Sequence, residues 1–158
     1  MPSPIPRWTV LCEVERKLRP FPDVHAPVAA ALGPVRERMA MVHIETRSEA
    51  NKHEFWRARQ KRAKTQHMHV SGVLAATFGR APKPPLGFVL RRVAPRQLDH
   101  SDNVNTSMKF TRDACAKWVG IDDRDPRIAW IYEQRNGGVR EYAVEIILIT
   151  PNIDGATA

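Results

Sequence analysis

The residues best suited to chemistry in this chain are carboxylates. The stretch "LDHSDNVNTSMK" at 98–109 sets Asp99 and Asp102 three apart, adds Asn103, and ends on Lys109. A second acidic stretch, "DDRDP", carries Asp122, Asp123 and Asp125. Hard divalent cations such as Mg²⁺ prefer carboxylate oxygens and reach phosphate substrates through one or two carboxylates plus water. Phosphodiester hydrolysis needs an activated water and relief of charge on the phosphoryl oxygens. Carboxylate-held metal and a nearby ammonium such as Lys109 share that work. Arg91, Arg92 and Arg96 flank the first stretch and are candidates for gripping phosphate bidentately. A plainer account also fits the same residues: Asp102 or Asn103 as a helix N-cap, "DDRDP" as turn chemistry, and Lys109 as the i,i+4 partner of Asp113.

The surrounding elements must position these groups. "MVHIET" from Met41 alternates like a strand. Residues 50–77 hold helix formers without proline and carry Lys52, Arg57, Arg59, Lys61, Arg62 and Lys64 against Glu54 alone. That one-signed excess makes Arg57, Lys61 and Lys64 candidates for DNA-phosphate contact. "LGFVLRRV" at 86–93 reads as a second strand. A helix over 103–118 would place Val104, Met108, Cys115 and Trp118 on one face, with Asp102, Thr106, Lys109 and Asp113 roughly opposite. "RIAWIYEQRNGGVREYAVEIILIT" reads as two strands in a hairpin about Asn136, Gly137 and Gly138. The order is β-α-β-α-β-β: a single α+β domain, with a mixed or mainly antiparallel sheet packed by two helices. Whether the two acidic loops lie at the same end of the sheet stays open.

Seven of the 13 prolines fall in the first forty residues, which disfavours long helices and paired strands there. Residues 1–40 read as an appendage or a start assigned too far upstream, 41–150 as the domain, and 151–158 as a tail. Within the appendage, "RWTVLCEVE" at 7–15 is a possible edge strand and 26–39 a possible short helix, while 1–38 reads as dispensable for folding. With 158 residues and 42% apolar composition the chain supports one core. Its formal charge of +8 favours polyanionic partners, nucleic acid first. The longest apolar run, "AVEIILI", is too short for a bilayer. Only Cys12 and Cys115 occur, and no secretory leader is legible, which points to a reducing, cytoplasmic setting. There is no P-loop, no GxGxxG, no triad signature and no Cys/His zinc spacing, and hence no small-molecule cofactor is expected. His67 and His69 fall on different sides of a helix. Phe55, Trp56, Trp118, Trp130 and Tyr132 read as core residues rather than base-stacking platforms.

Taken together, "LDHSDN", "KFTRDACAKWVGIDDRDPRIAWIYEQ", "EANKHEFWRARQKRAK" and "VLRRVAPRQLD" resemble the RusA-like Holliday junction resolvases of phages and prophages, over about residues 41–149. The resemblance implies a small homodimeric endonuclease that cuts four-way DNA junctions in recombination and repair. It also implies dependence on Mg²⁺, with Mn²⁺ as a substitute. It carries the metal-binding and catalytic roles to Asp99, Asp102 and Asp123, with Asp122 as the alternative to Asp123, and the catalytic ammonium to Lys109. Three departures stand out. His100 and Ser101 separate the first two aspartates where the family has a single residue, or further aspartates. The lysine also comes later than in compact members, and the family's N-terminal proline-asparagine loop is not recognisable. A protein of this family that grips branched DNA without cutting fits these substitutions. A basic RNA-binding or structural protein whose acidic residues are caps and turns fits the composition alone.

Overall fold

The computed structural model describes residues 35–48, 53–99 and 103–152. It holds β1 (Val35–Val42), α1 (Trp56–Phe78), β2 (Leu86–Ala94), α2 (Asn103–Ser107), α3 (Lys109–Val119), β3 (Ile128–Asn136) and β4 (Ala143–Pro151). This is an α+β arrangement in the order read from the sequence, with the second helix interrupted at Met108. One mixed sheet has the strand order β1-β4-β2-β3. β4 runs antiparallel to both neighbours, β1 and β2, while β2 and β3 are parallel.

Both helical crossovers lie on one face of the sheet. Val70, Leu74 and Phe78 of α1, then Met108, Ala114 and Cys115, close over Val42, Leu86, Phe88, Leu90, Ile128, Val144, Ile146 and Leu148 in one core cluster. The face predicted from helical spacing holds: Val104, Met108 and Cys115 are buried, and Trp118 packs against the same cluster. Full burial pushes the Cys115 thiol pKa far above its ordinary value. Alternate strand residues form a second apolar cluster on the opposite face, with Val89, Ala129, Ile147 and Ile149 beside Val35, Met39 and Ile131.

The expected hairpin does not form. β3 and β4 are separated by β2, and residues 137–142 cross its end instead of turning between neighbours. The reason is burial. Every residue from Ala143 to Ile149 is buried, so β4 needs a strand on each side, whereas the half-buried β3 suits an edge. The Gly137 amide donates to the Ala94 carbonyl at 2.8 Å. A Cβ at Gly137 would come within 2.9 Å of the Glu141 carbonyl oxygen and 3.0 Å of Val93 Cγ1, so the tight crossing requires glycine.

β1 also departs from expectation. It begins at Val35, not Met41, and pairs along its length with β4 from Val35↔Pro151 to Val42↔Val144. Residues 35–40 therefore belong to the sheet, a helix over 26–39 is excluded for its last five residues, and a domain starting at 39 or 41 would cut through β1. Residues 1–34 and 153–158, including Cys12 and the possible 7–15 strand, lie outside the described residues.

Phe55 and Trp56 are exposed, not core. The fully buried positions of α1, Gln66, Val70, Leu74 and Phe78, lie in its second half, whereas its basic first half is mostly exposed, though Arg62 stacks over Phe110 at 5.5 Å. No helix among the described residues is long and apolar enough to cross a membrane.

A candidate nuclease site on the β3 edge

The two acidic loops leave the sheet at opposite ends. The loop after β2 starts beside Ala94 and Asn136, whereas the loop before β3 ends beside Leu86 and Ile128, about 26 Å away at about 3.3 Å per residue. Both nevertheless fold back onto the same line of β3 side chains, Trp130, Tyr132 and Gln134, which alternation puts on the helix-bearing face. Gln134 makes two hydrogen bonds with Leu98: its Oε1 accepts from the Leu98 amide at 2.9 Å and its Nε2 donates to the Leu98 carbonyl at 2.8 Å. That fixes the chain one residue before Asp99. Trp130 Nε1 donates to the Asp123 carbonyl at 2.9 Å. Tyr132, between them, accepts from Arg112 Nη1 at 3.2 Å.

Arg112 is the junction of this arrangement. Its Nε donates to Asp123 Oδ2 at 2.7 Å, its Nη2 donates to the same oxygen, and its guanidinium carbon stands 6.0 Å from the centre of the Trp130 ring. Burial alone would raise the Asp123 pKa, but the hydrogen bonds and charge of Arg112 hold it below the ordinary carboxylate value. Asp113, next along α3, behaves oppositely. Burial and the nearby Asp123 carboxylate raise its pKa, against partial relief from Lys109, Arg112 and His67. Asp113 thus senses both Asp123 and Lys109, although the sequence reading gave Asp113 no role beyond pairing with Lys109. The helical spacing that places Lys109 and Asp113 on one side was legible. Arg112 and Tyr132 were not, because only the parallel β2–β3 pairing brings Tyr132 beneath α3.

The three aspartates of "DDRDP" are separated by environment. Asp122 Oδ1 accepts from the Arg124 amide at 2.8 Å. Asp125 accepts from the Arg127 amide and guanidinium, which pull its pKa down to about 2. Those two carboxylates serve the turn, as the plainer sequence reading had it. Asp123 alone reaches back to α3, where Gly120 ends the helix in a left-handed conformation with its amide bonded to the Ala116 and Lys117 carbonyls. Asp99 and Lys109 are exposed, and Asp102 lies outside the described residues with His100 and Ser101. Asn103 is the first residue of α2.

The donor chemistry suits a hard cation in part. The Asp123 carboxylate lies close enough to Asp113 to raise the latter's cost of ionisation, and Mg²⁺ is held by as few as one or two carboxylates plus water. No group of three or more metal-ligating side chains assembles among the described residues.

The basic residues divide as well. Arg57, Lys61 and Lys64 recur at i, i+4 and i+7 on α1, all exposed, and among the described residues no carboxylate pairs with them. Arg57 stacks over exposed Trp56 at 5.3 Å. Lys64 and His67 face Lys117 and Trp118 of α3 across a groove of about 630 Å³, while His69 lies on the other side of α1, as expected. Arg91 is removed from the candidate phosphate contacts. Strand alternation turns it to the helix-free face, where Nε donates to Glu133 at 2.8 Å and Nη1 to Glu145 at 2.9 Å. Arg92 is buried on the helix-bearing face and Arg96 is exposed on the loop after β2.

A scan of the chain against protein-family models finds no match, and a search of curated proteins finds none either.

Proposed function

We propose that the protein is a metal-dependent endodeoxyribonuclease of the RusA-like kind, acting as a homodimer on four-way or otherwise branched DNA. The observation that carries this reading is the return of both acidic loops to one line of β3 side chains, with Asp123 drawn onto α3 by Arg112 one residue from Asp113 and one turn from Lys109. Asp99, Asp102 and Asp123 are the residues to hold Mg²⁺ or Mn²⁺, with Asp113 added beside Asp123. A metal bound there supplies charge neutralisation at the phosphoryl oxygens and a more acidic water. Lys109 is placed to steady negative charge developing on the phosphodiester. Arg112 keeps the Asp123 carboxylate ionised and aimed. Arg57, Lys61 and Lys64 hold the DNA backbone independently of sequence.

The test is a synthetic four-way junction incubated with the protein, with Mg²⁺ and with chelator. Asp102→Asn, Asp123→Asn and Lys109→Ala should each cost about 100-fold or more in cleavage while junction binding persists. Asp99→Asn should lose activity too. A second reading, a protein that grips branched DNA without cutting, is favoured by the engagement of Asp123 with Arg112 and by His100 and Ser101 beside Asp99. Tight junction binding by the wild type with no cleavage in Mg²⁺ or Mn²⁺ establishes that reading and overturns the first.

A further inference from the structure

At the end of the sheet where β2 enters the first acidic loop, a cleft of about 450 Å³ opens between the chain after β1, the end of β2 and Tyr142. Its floor is Arg92, only 7% exposed. Arg92 Nη1 donates to the Arg96 carbonyl at 2.8 Å, while the buried Nε has no hydrogen-bond partner. No carboxylate pairs with it among the described residues, in contrast to Arg91, its neighbour on the opposite face, which holds two glutamates. Burial pushes the Arg92 pKa down, and Tyr142 and Glu45 offset this only in part. An arginine stays protonated regardless, so the fold maintains a covered positive charge with no carboxylate bonded to it among the described residues. A perturbed charged group lining a cleft is a candidate functional site. Arg47 and Arg96 add two further guanidinium groups at the cleft. Among the described residues its one carboxylate, Glu45, is already bonded to Arg47 at 3.2 Å.

We propose that this cleft binds one phosphodiester group of a DNA strand, with Arg92 as its receptor. Among the described residues of the cleft, three guanidinium groups against one carboxylate favour an anion, and the planar fork of arginine matches phosphate oxygens. Leu98, Pro95 and Tyr142 give the cleft an apolar wall against which the attached sugar and base can rest. Leu98 immediately precedes Asp99, so a phosphate seated here lies in the strand passing the acidic loop. The identity of the strand as DNA rests on the function proposed above; capture of the phosphate by Arg92 does not.

The experiment is thermal unfolding of the full chain against increasing inorganic phosphate, then against a dinucleoside monophosphate, with ionic strength held constant by sodium chloride. The wild type should show a saturable rise in Tm with both ligands. Arg92→Met should abolish it, and without ligand should melt at or above the wild-type temperature, because the uncompensated charge is gone. Arg92→Lys, which keeps the charge but not the fork, should weaken phosphate binding by about tenfold or more. Absence of a saturable shift in the wild type overturns the proposal, as does an equal shift in Arg92→Met or undiminished binding in Arg92→Lys. A ligand-insensitive loss of stability in Arg92→Met would instead make Arg92 a tether for the Arg96 loop. If no junction is cut yet phosphate stabilises through Arg92, the nuclease reading fails and the pocket stands. If junctions are cut and Arg92→Met changes neither phosphate response nor KM, the pocket falls alone.

Discussion

Asp113 and Asp123 carry the same carboxylate under opposite pressures, and the sign of each is measurable. Asp113 has a folded-state pKa above its unfolded value, so its ionised form is the one that destabilises the fold. The penalty is absent below about pH 4, where both states are protonated, and complete once pH exceeds the raised value. Asp113→Asn should therefore raise Tm at pH 7, with the gain vanishing as pH falls below about 4. Asp123 is depressed by Arg112, so its contribution is present above about pH 4 and lost as pH falls through the depressed value. Asp123→Asn should lower Tm at pH 7 and leave acid stability nearly unchanged. Melting curves across this range check both, and like signs for the two variants would dissolve the distinction. At this scale the sequence showed which residue types could act and, through helical spacing, that Lys109 and Asp113 share a side. It could not show that Asp123, unlike Asp122 and Asp125, leaves the turn for Arg112, because that depends on how α3 and β3 pack.

At the scale of elements, type and order were legible in the hydrophobic period while neighbour relations were not. The run of seven buried residues in β4 was visible as an apolar stretch broken only by Glu145. The glycines before it suggested a local turn, yet a strand covered on both faces is best satisfied at the centre of a sheet, and β2 rather than β3 became its partner. Glu145 is tolerated there because Arg91 and Arg135 bond it, at 2.9 Å and 2.6 Å. The start of β1 was obscured by Pro34 and a charged stretch, "VRERM", whose alternate residues face different sides. The consequence is a firm boundary. A chain beginning at Met39 loses the pairing of Val35–Arg38 with Leu148–Pro151 and bares part of the cluster around Ile149. That loss is worth about 2–3 kcal/mol, so Tm should fall by several degrees relative to a chain beginning at Val35. Equal melting of the two would place β1 outside the cooperative unit.

For the molecule as a whole, the charge of +8 is distributed unevenly: the helix-free face ties Arg91 and Arg135 into glutamates, whereas the basic first half of α1 is mostly exposed. Binding to DNA should accordingly depend on salt through α1. Replacing Arg57, Lys61 and Lys64 with glutamine should weaken binding to many sequences alike and reduce the log-log salt slope by about 0.9 per lost duplex contact. An unchanged slope would assign that face to solvent. The charge was legible from composition; its exposure on the first half of α1 follows from a core whose fully buried α1 positions begin at Gln66.

Cys115 sits at the meeting of α3 and the sheet, fully buried and with its thiol held protonated. A thiolate is the reactive form, so alkylating reagents have nothing to attack until the helix lifts from the strands. Its labelling rate therefore acts as a clock for opening of the core. With Cys12 replaced by serine, labelling in dilute urea should run at the rate of a free thiol multiplied by the equilibrium population of the opened state, and accelerate as urea enlarges that population. The protein thus carries, inside its core, its own chemical gauge of how often the helical layer and the sheet part company.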